Sequence, residues 1–248
     1  MQTAERDPAV FLAKFSSLAR EKGFRAETMG EVQGYPLLAF TKRTPGVLPR
    51  IYLSAGIHGD EPAPPLALLR LLEEGFFDRR AVWFLCPMLN PTGMVKGTRE
   101  NFAGIDLNRD YRNTRSIEVS AHIRWLQNQP SFDLTCCVHE DWEAKGFYLY
   151  EINPQGRISS AEAMLVAVAN HCLIDASERI DDWDAKGGII RPTVDPATRE
   201  LWAEALYLRQ NHAQLGYTTE TPSSFPLEQR IAAHRAALQV AVEAVVGR

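Results

Sequence analysis

At 248 residues, with 45% hydrophobic and 23% charged side chains, the chain carries enough apolar material to bury a core without staples. Its 27 basic residues are outnumbered by 31 acidic ones, for a net charge of −4, and no basic stripe stands out, which argues against a nucleic-acid surface. No run of 18 apolar residues occurs, so no membrane span is expected, and the acidic start MQTAERDPAVFLAKF lacks the apolar centre of a secretion signal.

Along the chain, strands and helices alternate. RIYLSAG (50–56) is a short β-branched, apolar run ending in glycine and reads as a strand. PPLALLRLLEEGFF follows with Leu66, Leu69, Leu72 and Phe76 at helical spacing. AVWFLCPML (81–89) is a second buried strand. The segment 116–129 has a cap-like start at Ser116 and a helical stripe through Ile117, Ala121, Ile123 and Leu126. DLTCCVH (133–139) is a third strand. AEAMLVAVANHCLI and PATRELWAEALYLRQNHAQLG read as helices, the second stopped by Gly216. YTTETP is a last strand, and the chain closes in an amphipathic helix with Leu227, Ile231, Leu238, Val242 and Val245 near one stripe. The segment 175–195 is irregular, as functional lids often are. Cys86, Cys136, Cys137 and Cys172 lie in apolar runs without Cys-x-x-Cys spacing, so reduced, buried thiols and a cytoplasmic home are expected. Strands separated by helices imply one α/β domain over residues 1–248, with a largely parallel sheet covered on both faces.

In such a sheet, ligands gather outside the carboxyl ends of the strands. His58 and Glu61 follow the first strand, Asn90 and the loop GTRENFAGIDLNRD follow the second, His139 ends the third and Glu220 the last. Each has a plain structural explanation when taken singly. Glu61 could be an acid favoured by a helix N-terminus, His139 a buried strand histidine, Glu220 a strand-end carboxylate. Together they favour chemistry. Two imidazoles and a carboxylate suit zinc, which binds them at about 2.0–2.2 Å and keeps a position open for water in catalytic sites. Pro62 biases Glu61 away from helical geometry, so His58 and Glu61 can be aimed from a turn. His122, His171, His212 and His234 fall in predicted helices, where solvation or local hydrogen bonds account for them.

The ordered set HGDE (58–61), GTRENFAGIDLNR (97–109), VHE (138–140) and TETP (219–222) resembles the zinc carboxypeptidase family, in particular its compact bacterial metallocarboxypeptidase and peptide amidase branch. Succinylglutamate desuccinylases and aspartoacylases are more distant relatives. The resemblance implies a central mixed sheet of about eight strands flanked by helices. It makes His58, Glu61 and His139 the zinc ligands. Asp106 becomes the acid that holds the second nitrogen of His58. Asn108 and Arg109 become the clamp for a terminal carboxylate, Arg99 the cation for the oxyanion, and Glu220 the general base toward a zinc-activated water.

The implied activity is removal of a C-terminal residue from a small peptide with a free carboxylate, with one zinc ion. Digestive relatives use a mobile tyrosine near the substrate amide, for which Tyr207 and Tyr217 are candidates. Glu140 and Asp141, beside a ligand, are either ordinary surface acids or the makings of a second metal or amine site. Two other functions remain open. An N-acyl amino acid deacylase of the desuccinylase and aspartoacylase type would use the same ligands and base, although such relatives usually carry a further C-terminal β domain and the residues after Glu220 read as one helix. A catalytically silent carboxylate-binding module would be expected to lack a ligand or the base, and all four are present.

Overall fold

The structure, a computed structural model, describes residues 7–193 and 195–247. Residues 1–6, Val194 and Arg248 lie outside the described residues.

The chain opens with a helix that the sequence reading did not assign, α1 (Pro8–Glu21). Asp7 caps it by accepting from the Ala9 and Val10 amides, Pro8 occupies the first turn, and Phe11, Leu12 and Phe15 are buried. A hairpin follows, β1 (Arg25–Val32) and β2 (Tyr35–Lys42). Gln33 and Gly34 at its tip both have positive φ, which matches the twist of the flanking strands. Then come β3 (Arg50–Ser54), α2 (Ala63–Glu73), β4 (Val82–Cys86), α3 (Pro91–Lys96), α4 (Ile117–Leu126) and β5 (Leu134–Asp141). Ser116 caps α4, as its position suggested, by accepting from the Val119 amide. The second half holds β6 (Tyr148–Ile152), α5 (Ala161–Val168), β7 (Arg179–Ile180), β8 (Trp183–Lys186), β9 (Ile189–Ile190), α6 (Glu204–Asn211), β10 (Gly216–Pro222) and α7 (Leu227–Val246).

The strands form one sheet in the order β1-β2-β4-β3-β5-β10-β6-β9-β8-β7. It has ten strands, rather than about eight, because the initial hairpin and the segment 175–195 both add to it. The centre, β4-β3-β5-β10, is parallel, and both flanks are mainly antiparallel. Side-chain alternation feeds two layers. Leu53, Leu85, Cys136 and Val138 face α1, α2, α5 and α7. Tyr52, Phe84, Cys86 and Cys137 face α4 and α6. All four cysteines are free and buried, as their apolar settings indicated.

One helix is much shorter than expected. Residues 196–216 do not run as a helix. Trp202 pairs with Asp110 in a β-bridge and donates its indole N–H to the Pro196 carbonyl, which keeps the chain extended up to α6. Gly216 opens β10 and does not stop a helix. Among the described residues, no helix is long and apolar enough to cross a membrane.

Candidate active site

The four parallel strands share one carboxyl edge, and the sequence candidates meet there. The HGDE turn leaves β3 and is wedged against α3. A Cβ on Gly59 would lie 1.9 Å from the Gly93 carbonyl carbon and 2.2 Å from the Met94 nitrogen, while the Gly59 amide donates to Thr98 O at 2.9 Å. Backbone fills the space where a side chain would go, so His58 and Glu61 are held by a glycine that nothing can replace. Gly59→Ala is therefore expected to abolish soluble, metal-binding protein, checked by expression yield and zinc content. Soluble Gly59→Ala protein with a full complement of metal would contradict this packing.

His58, Glu61 and His139 are all buried, and one potential ligand atom from each lies within 4.8 Å of the others. Glu61 sits between the rings, Oε1 2.5 Å from His58 Nδ1 and Oε2 3.2 Å from His139 Nδ1. These are hydrogen-bond distances, and the donor set of two imidazoles and a carboxylate, converging within 4.8 Å, is of the kind that holds a zinc ion. The electrostatics agree. Burial opposes charge on both partners, yet the two imidazoles hold the Glu61 carboxyl below its ordinary value. Burial likewise lowers His58, but Glu61 and Asp106 outweigh it and raise the ring to about 9. A buried carboxylate and two rings this close are primed to share a cation.

Asp106 joins two candidates. Its Oδ1 lies 3.3 Å from His58 Nε2, and its Oδ2 accepts from Arg99 Nε at 2.9 Å. Burial alone would lift its carboxyl, but His58 and Arg99 depress it. Asp106 also caps the 3-10 turn Leu107–Arg109, accepting from the Asn108 amide. That turn presents Asn108 and Arg109 to the same cavity, of about 790 Å³, as the three donors, Arg99 and Glu220. Asn90, by contrast, is structural. It caps α3 and donates to the Arg99 carbonyl at 3.3 Å.

Glu220 lies beside His139, its register partner on β5, and opposite Tyr148 on β6. Burial raises its carboxyl well above the ordinary value, reinforced by Glu61 and Asp141 and opposed by His139 and Arg99. The candidate tyrosines are displaced elsewhere. Tyr207 packs against Tyr111 and His212, and Tyr217 is buried with its hydroxyl on Ser160, so neither lines the cavity. Tyr148 and Tyr150 line it instead. They lie on a strand the sequence reading passed over, although the alternating aromatics of FYLYEI were a usable signal.

Glu140, the residue after His139, turns to the other face. It is buried, accepts from the Ala63 amide at 2.7 Å and pairs with Arg230 of α7. It is thus no surface acid, and both of its oxygens are engaged. Burial raises its carboxyl to about 7 against the pull of Arg230 and Ala63. Arg230→Ala leaves that carboxylate without its cation, and a loss of about 3–5 kcal/mol in urea unfolding is expected. A loss below about 1 kcal/mol would show the pair to be solvated. Asp141 accepts from the Tyr148 hydroxyl at 2.9 Å.

Two histidines set aside as solvated or locally satisfied are fully enclosed. His122 lies between the hydroxyls of Tyr52 and Tyr111, at 3.0 and 2.7 Å, and His234 between Thr219 and Thr221. Burial lowers both rings to about 3. His171 and His212 fall just beyond the ends of α5 and α6.

A family model described as the succinylglutamate desuccinylase/aspartoacylase catalytic domain matches residues 47–208. A protein of Shewanella amazonensis SB2B, provisionally named a metallopeptidase, superposes with a TM-score of 0.85 at 26% identity, covering 97% of this chain and 94% of that one. The metallo-carboxypeptidase of Burkholderia cenocepacia shares the fold, with a TM-score of 0.69 at 19% identity over 94% of this chain and 68% of that one. So does carboxypeptidase A of Helicoverpa armigera, with 0.68 at 15% identity over 94% and 71%. No curated protein matches the sequence.

Proposed function

This chain belongs to the succinylglutamate desuccinylase/aspartoacylase catalytic-domain family, and we propose that it is a zinc-dependent metallocarboxypeptidase, cleaving the peptide bond before the C-terminal residue of a small peptide. The observation that carries this reading is convergence. Three ligand candidates, a carboxylate base, an arginine and an Asn–Arg pair from separate segments all border one cavity.

Zinc held by His58, Glu61 and His139 would polarise the substrate carbonyl and acidify water to a pKa of about 7. Glu220 accepts the proton of the attacking water and returns it to the leaving amine. Arg99, held by Asp106, offers its guanidinium to the oxyanion. Asp106 steadies the His58 ring from behind. The Asn108 side-chain oxygen, Oδ1, already accepts from the Glu204 backbone amide at 2.9 Å. Its amide nitrogen is left as the donor, beside Arg109, for a terminal carboxylate.

The test is a panel of N-acyl dipeptides with free or amidated C-termini, together with N-acyl amino acids, assayed before and after chelation. Release of the last residue from free-acid dipeptides alone, lost on chelation, is the expected result. A second reading, an N-acyl amino acid deacylase, is favoured by the family match itself. Hydrolysis restricted to acyl amino acids would put it first, and binding without hydrolysis of any of them would leave a carboxylate-binding module.

A further inference from the structure

Alternation splits the side chains of β10 into two sets. Thr218 and Glu220 border the cavity. Thr219 and Thr221, both fully buried, point into the opposite layer, where α7 packs. There the ring of His234 stands between them, Nδ1 3.2 Å from Thr219 Oγ1 and Nε2 3.0 Å from Thr221 Oγ1. It also interacts with the backbone of His139 on the adjacent strand. A neutral imidazole has one donor and one acceptor, and each hydroxyl can answer either. The three groups therefore satisfy one another in a layer otherwise packed with Ala233, Ala237, Leu238 and Val138.

An apolar trio would fill that space as well. What the polar trio adds is direction, because hydrogen bonds fix a rotation of the strand that apolar packing leaves loose. The two threonines flank Glu220 on either side. Any roll of the strand that lengthened their bonds to His234 would swing the Glu220 carboxylate relative to the ligand candidates.

We propose that His234 is a positioning residue, which sets the place of Glu220 by gripping Thr219 and Thr221 from the far side of the sheet. This rests on Glu220 being the general base.

The test compares three proteins on whichever compound of the substrate panel the unchanged enzyme hydrolyses fastest, with zinc content and melting temperature measured on each. Thr219→Val with Thr221→Val strands the polar ring and should lower both melting temperature and kcat. Adding His234→Leu removes the stranded group and should restore the melting temperature, since replacing all partners by apolar groups is close to neutral. In that triple variant kcat should stay about 10–100-fold down, with KM within about twofold and zinc at the parental level. A merely structural trio would regain activity together with stability, and a triple variant with parental kcat overturns the proposal. His234→Gln, which keeps a partner for Thr221, should fall between parent and triple in kcat. It serves as the deciding variant if the triple does not fold, and parental kcat in it then counts against the proposal. Glu220→Gln is the control. If it is inactive while the triple is fully active, positioning alone fails; if it is active, the base assignment fails and the proposal with it.

Discussion

Glu220→Gln is expected to lower kcat by about 10²–10⁴-fold while the protein keeps its zinc and its melting temperature. Glutamine preserves the volume and one acceptor but cannot take a proton. The cause lies in where β10 ends: Glu220 is in register with His139 and borders the same cavity as the donors. Burial and the like charges of Glu61 and Asp141 lift its carboxyl well above the ordinary carboxylate value. A carboxylate raised above its ordinary value holds a proton more readily than an exposed one, which suits the proposed role. Steady-state kinetics with metal analysis decide the matter. Turnover within about threefold of the parent, with zinc bound, would remove Glu220 from the mechanism.

His139→Ala is expected to cut bound zinc well below one equivalent and to take hydrolysis to background. Two ligand candidates would remain, and a structural or catalytic zinc site needs at least three protein ligands. The metal-free parent carries a further signature. His58 is raised to about 9 from an ordinary 6.5, so its contribution to stability is fully present below about pH 6.5 and is lost as pH rises through about 9. Glu61 is depressed from an ordinary 4.5, so its contribution is present above about pH 4.5 and is lost as pH falls through the lowered value. Metal binding runs the other way on the alkaline side, because the imidazoles must be neutral to coordinate. Calorimetry with and without chelator should thus show a zinc-dependent rise in melting temperature that widens between about pH 6.5 and 9. A pH-independent difference would mean that no histidine releases a proton to solvent when the ion binds.

The parts of the fold that could be read in advance share a physical cause. The central strands β3, β4 and β5 are largely buried on both faces and appear as short, mainly apolar runs. The initial hairpin has no clear sequence signal, because β1 is largely exposed and shows no clean alternation. Asp7–Pro8 at the start of α1 is a cap signal the sequence does carry. Two-residue strands such as β7 and β9 exist only through their neighbours, and no local pattern announces them. At the site, the meeting of His58, Glu61 and His139 was legible because strand ends in such a sheet converge. Tyr148 and Tyr150 were not, since their strand reaches the cavity only by pairing with β10. His234 looked like one polar residue on an amphipathic helix; that two threonines lay across from it is a fact of tertiary packing.

The turn from His139 to Glu140 has a bearing on engineering. Glu140 reaches the amide of Ala63, two residues beyond Glu61, and is itself braced by Arg230. A designer who grafted only the HGDE turn and its partner histidine onto a foreign scaffold would leave behind the brace that anchors the turn's outgoing end. The minimal transplant is larger than the three ligand candidates. It includes an arginine on the last helix that never sees the cavity.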